Sequence, residues 1–189
     1  MSQRNTLVRA MHDVGLAAWF GGSLAGAVAV NGAAADLPDP TMRLTVANAG
    51  WARWAPVNAV AVGVHLLGGT VLLWTNRDRV AGQRGVAAQT VAKLMLTGAA
   101  LAATGYSGAL GRKLRAAEGV AVKGGTTPAK STPAEVAHIQ QQLDTCQWLI
   151  PALTCGVSVL TALAGEQQRS DRQLAEVITR PGRWLRAAG

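Results

Sequence analysis

Charge is missing from four long stretches of this 189-residue chain, and that absence decides more than any motif does. Ten acidic and eighteen basic residues are swept into the segments between, leaving uncharged runs over 14–35, 55–76, 94–111 and 145–165. These runs are 22, 22, 18 and 21 residues long. A water-soluble bundle pairs each apolar stripe with a charged face. None of the runs has such a face, which argues against a soluble helical protein. About 20 apolar residues carry a helix across a hydrocarbon layer of roughly 30 Å, and the four runs fit that length.

Other scarcities narrow the chemistry. Cys146 and Cys155 are the two cysteines, nine residues apart on one expected helix. At a rise of about 1.5 Å per residue they stand roughly 13 Å apart, too far for a disulfide. They read as small apolar side chains. With three histidines and no Cys-x-x-Cys spacing, a clustered metal site is not expected. A P-loop, a nucleophile elbow and a dinucleotide fingerprint are all absent. The runs are built from Ala and Gly more than from Leu and Phe, with one Phe and one Tyr in the whole chain.

What is present reads as an all-α, four-helix transmembrane bundle over 1–165, with spans near 10–34, 55–75, 87–112 and 137–165. The first run has a basic start and small residues at its end, but 22 uncharged residues exceed the roughly 7–15 of a signal peptide's apolar core. It is expected to stay as a helix. Gly22 and Gly26 form a G-x-x-x-G spacing that lets helices approach closely in lipid. Pro38 and Pro40 end that helix, and 41–53 is expected to be an interfacial helix leading into the second span. Trp51, Trp54, Trp74 and Trp148 fall at run ends, as an aromatic belt requires. The third loop carries Gly124, Gly125, Pro128 and Pro133 and reads as flexible, with Ser131 or Thr132 placed to cap the fourth helix. Pro151 should kink that helix. Residues 166–189 are expected to form a basic amphipathic cytoplasmic tail.

The sequence pI of about 10.8 invites a nucleic-acid reading. The basic residues lie at helix ends, however, where anionic headgroups and topology account for them. The lipid bilayer is the expected partner, with a membrane protein or a second copy as a further one, and no nucleic acid. Lys and Arg number ten on the side of the termini and second loop, and seven on the other. That bias places both termini in the cytoplasm and the chain in the cell membrane as a multi-pass protein. The five basic residues of the third loop run against the rule.

His12, Asp13, His65 and Lys93 are the ionisable groups in or beside the spans, and such groups are costly in lipid. Each has a bland reading. His12 and Asp13 can be a solvated helix start, His65 a hydrogen-bonded core residue, and Lys93 a side chain snorkelling to the surface. His65, near the middle of its span, should face the bundle interior.

The stretch Met11-His-Asp-Val-Gly-Leu-Ala-Ala-Trp-Phe-Gly-Gly22 resembles the first helix of copper-resistance D-type membrane proteins and of the haem-binding membrane protoporphyrinogen oxidase family. The latter's first-helix histidine and third-helix Lys-Leu-x-Leu correspond to His12 and to Lys93 with Leu94 and Leu96. The oxidases carry Arg, Tyr and His soon after the Trp-Gly segment, where this chain has Ala27-Val-Ala-Val-Asn31. The resemblance implies haem b as cofactor, with His12 and Lys93 as binding residues and Trp19 beside them; His65, an ionisable group inside a span, is a further candidate. His12 and Trp19 lie two turns apart on one helix face. Counting about 1.5 Å per residue from the expected helix ends puts His12 about 6 Å deep, Lys93 about 9 Å and His65 about 13 Å. His12 with Lys93 is therefore the expected pair. Asp13, about 100° around the helix from His12, is not expected to partner its ring. Two functions follow. One is a helical scaffold or accessory subunit; the other is a haem- or copper-handling membrane oxidoreductase using His12 and Lys93.

Overall fold

The computed structural model describes the backbone of residues 6–179 and the side chains of 6–166, Arg84 excepted. Four of its helices are long and apolar enough to cross a membrane: Thr6–Ala35, Arg43–Thr75, Gly85–Arg115 and Ala134–Glu166. The protein is thus an all-α membrane protein, and these are its first to fourth spans. The first contains a π-helical segment, Gly26–Val30. A short helix, Arg77–Gly82, joins the second span to the third. The fourth runs on as a single helix to Thr179, so the backbone shows no break at 166 where a separate tail is expected. The tail's amphipathic face and residues 180–189 lie outside the described residues.

First and second spans pack antiparallel because glycines remove the side chains between them. A Cβ on Gly15 would lie 2.6 Å from the carbonyl oxygen of Ala61, and one on Gly68 would lie 2.6 Å from the backbone nitrogen of His12. Backbone meets backbone at both points. Gly22 and Gly26 do something else: their missing Cβ atoms make room for the indoles of Trp54 and Trp51. The G-x-x-x-G spacing is therefore a slot for two tryptophans. Trp51 and Trp54 turn inward and do not join an aromatic belt, whereas Trp74 and Trp148 are 71% and 51% exposed.

Third and fourth spans form the other close pair, and first and fourth join the two. Trp19, fully buried, reaches across the bundle so that its Nε1 donates to Thr104 Oγ1 at 3.2 Å. Leu16, Trp19, Ala100, Ala103, Ile150 and Val157 are the core around it. Second and third spans touch only sparsely.

One end of the bundle is closed by its loops. The expected interfacial helix at 41–53 is not separate: Arg43–Thr75 is one helix running through Pro56. Its first turns extend the span because Leu44 and Ala47 are buried, Leu44 in a second small core with Leu110, Leu114, Val122 and Leu143. At about 1.5 Å per residue the helix is roughly 50 Å long, well beyond the hydrocarbon thickness. Nor is the third loop loose. Val122 is fully buried and donates its N–H to Pro40 O at 3.1 Å, while Thr126 Oγ1 donates to Asp144 Oδ1 at 2.9 Å. Gln140 Nε2 donates to the carbonyls of Gly124 and Gly125. Thr132 fastens the loop, donating to Ala121 O and accepting from Ala129 N, and so does not cap the fourth helix. Beneath this cap, Trp51 Nε1 and Gln147 Oε1 both bond the Asn31 amide. On the first loop, the Thr41 hydroxyl and backbone N–H donate to Asp39 and hold its carboxyl below the usual range.

Arg43 ties the two loops together, donating from Nε to Leu37 O and from one terminal nitrogen to Val122 O and Lys123 O. Arg43→Ala is expected to cost about 1–3 kcal/mol, the range for losing charged hydrogen bonds. The expected readout is faster trypsin cleavage after Lys123 and Lys130, with the spans still folded. Unchanged cleavage would mean the cap does not depend on this side chain.

Candidate functional site

At the end opposite the cap, the sparse contact between second and third spans leaves a cavity of about 490 Å³. That lies within the roughly 300–1,000 Å³ of ligand pockets. His12 and Asp13 from the first span, His65 from the second and Lys93 from the third all line it. Three of the four residues expected to bind a cofactor are therefore brought together. Trp19 is not among them: it is sealed in the core, with its ring 6.0 Å from that of His65.

The two histidines are neighbours, contrary to the depth count. Their ring centroids are 4.3 Å apart with the planes inclined by 41°. The count failed because it measured each helix from its own expected end. The real register is set by the glycine contacts, and Gly15 against His65 N and Gly68 against His12 N align the two residues. His65 is 2% exposed, and its Nδ1 lies 3.0 Å from His12 O. A carbonyl only accepts, so the proton sits on His65 Nδ1.

Asp13 also departs from expectation. Its Oδ1 lies 2.8 Å from His12 Nδ1. Adjacent Cα–Cβ bonds diverge by about 100°, but both side chains bend back far enough to meet. The carboxylate accepts, which places the His12 proton on Nδ1 and leaves Nε2 as the basic nitrogen. Nε2 has no hydrogen-bond partner among the described residues and lies beside Gly69, where a Cβ would sit 3.9 Å away. An imidazole held at Nδ1 by a carboxylate, with Nε2 left over, is the arrangement used by metal-ligating histidines.

Could a haem sit between the two rings? Each imidazole nitrogen stands about 2 Å from a metal it ligates, so rings 4.3 Å apart leave no room for a macrocycle. His65 backs His12; it does not face it across a cofactor. Lys93, in electrostatic reach of Arg9 and Asp13, is the remaining expected partner. Among the described residues no group of three His, Cys, Asp or Glu side chains could hold a metal ion, so a copper centre made from such side chains alone has no support. Haem, which brings its own four nitrogens, asks the protein for less, and His12 Nε2 meets that need.

The cavity's charge follows from its lining. Arg9, Arg79, Lys93 and Asp13 are its charged lining residues. Leu66, Leu73, Val86, Leu94 and Val157 supply apolar wall. Apolar wall beside charged side chains suits an amphipathic ligand. Sequence reasoning missed Arg9, Arg79 and Gly69 as members of the site. A signal for Gly69 was present: it lies four residues, one helical turn, beyond His65.

No family model, curated protein or solved structure matches this chain. It stands on its architecture, a four-span all-α membrane protein capped by its loops at one end and opened at the other by a cavity that gathers His12, Asp13, His65 and Lys93.

Proposed function

We propose that this protein binds haem b in the cavity, where His12 Nε2 would hold the iron and Lys93 is the candidate for a second residue holding it. One observation carries the reading: His12 has Nδ1 tied to Asp13 and, among the described residues, Nε2 unpartnered on the wall of the cavity. The leucine and valine walls would meet the macrocycle edge, and the charged end of the lining the propionates. Bound haem would supply a one-electron couple. The chain's own part is to hold it, with Asp13 and Gly69 fixing the His12 ring. The resemblance of the His12–Gly22 stretch and of Lys93 to the haem-binding oxidases supports the same reading. A scaffold or accessory role is favoured by the third span, of whose apolar window only 6% is buried. Lipid covers such a face without a protein partner.

Titrating haemin into the detergent-purified protein tests the binding. A Soret band saturating near one equivalent is expected, and its absence would end the proposal. Asp13→Asn is expected to weaken haemin about 10–100-fold, as loss of such a supporting partner does, with the melting temperature little changed. An unaltered affinity would remove Asp13 from the site.

The cavity lies on the face of the bundle that carries both ends of the chain's span region. The ten-to-seven bias of Lys and Arg supports placing that face in the cytoplasm of a cell membrane. Fusions at Gly189 and within 119–130 check it. A periplasm-only reporter should be active in the loop and silent at the C-terminus; the reverse would invert the topology.

A further inference from the structure

The cavity's shape bears on how a ligand reaches it. On the second span Leu66, Thr70 and Leu73 line it at i, i+4 and i+7; on the third Val86, Thr90, Lys93, Leu94 and Thr97 do. Each set occupies one helix face, and the two faces front each other where their spans barely touch. Leu66 lies at the middle of the uncharged run 55–76, and Leu94 and Thr97 lie in the uncharged run 94–111. The opening is therefore a slot between two helix faces that reaches into their charge-free stretches. Its rim is apolar and uncovered, since Leu66, Leu73 and Leu94 are 36%, 38% and 55% exposed while lining the cavity. Acyl chain is the medium that charge-free stretches of a span face. The first and fourth spans close the back with His12, Val157 and Thr161.

We infer that the cavity is filled sideways from the bilayer, through a lateral portal between the second and third spans, by a ligand dissolved in the membrane. The ligand passes its apolar body between Leu66 and Leu94, and its polar end settles at the charged end of the cavity. The identity of the ligand as haem rests on the function proposed above; the portal rests on the slot alone.

The test uses the full chain in vesicles of phosphatidylcholine and phosphatidylglycerol. Cys146 and Cys155 are replaced by serine, and Thr161→Cys on the cavity's back wall carries a bimane label. Lipids with a nitroxide at mid-chain are expected to quench the label strongly. Leu66→Trp with Leu94→Trp, which fill the rim, should remove most of that quenching. Quenching by aqueous iodide alone, by neither agent, or by lipid regardless of the rim substitutions would overturn the portal. In parallel, haemin preloaded into the same vesicles is followed by its Soret band on mixing with unlabelled protein. The rim substitutions should slow uptake about tenfold and leave the final occupancy unchanged. Lipid quenching without any Soret band would keep the portal and refute the haem proposal; a Soret band with rim-independent uptake and quenching would do the opposite.

Discussion

Gly68→Leu is expected to destroy the pairing of first and second spans, the largest single-residue effect on folding that the structure implies. A side chain there meets backbone on every side: a Cβ would lie 2.6 Å from His12 N, 2.8 Å from Val8 O and 2.9 Å from His12 Cα. Overpacking a core usually costs about 1–3 kcal/mol because side chains can shift aside. Two helix backbones have no such freedom, so the cost should exceed that range. Gly63→Leu on the same span is the control, since a Cβ at Gly63 meets nothing within 4 Å. Thermal unfolding in detergent, read with size-exclusion chromatography, should show Gly68→Leu aggregated or unfolded. Gly63→Leu should melt within about 0.5 kcal/mol of the parent, as exposed substitutions do. Equal melting of the two would mean the spans do not pack as described.

His12→Ala is expected to abolish stoichiometric haemin binding, the largest functional effect. The substitution removes the unpartnered Nε2 and leaves Asp13 without the ring it orients. Losing a ligand should cost more than the about 10–100-fold assigned to its supporting carboxylate. Two comparisons separate ligation from folding. Trp19→Phe deletes the bond to Thr104 in the core but leaves the cavity lining intact, so haemin should still bind. His65→Gln can still donate to His12 O and should retain most binding, because His65, although it lines the cavity, acts there as the support behind the His12 ring. A His12→Ala protein that keeps a full Soret band would remove His12 as the ligand, whatever else lines the cavity.

Much of the fold was legible because lipid imposes a length and forbids charge. The four spans could be drawn from the positions of Asp, Glu, Lys and Arg, and the structure places helices over all of them. The segment 41–53 misled because amphipathic composition is shared by interfacial helices and by helices packed against a cap; the burial of Leu44 and Ala47 was not visible in one segment's pattern. The third loop misled for a similar reason. Gly and Pro mark where a chain turns, not whether it is held, and here the holding groups are Arg43 and Gln140, distant in sequence.

The site divides the same way. His12, His65 and Lys93 stood out from sequence because ionisable side chains in a span need a reason. Their grouping did not, and the depth count paired the wrong residues. By itself the sequence determined the number of spans, the stretch at the heart of each, and the inward turn of His65, because the cost of charge or of an unpaired polar group in hydrocarbon acts on each residue alone. Only the tertiary structure decided the register of the spans, the partnership of His12 with Asp13, and the end at which the bundle stays open. Those depend on where one backbone meets another, at Gly15 and Gly68, and on where two spans fail to meet.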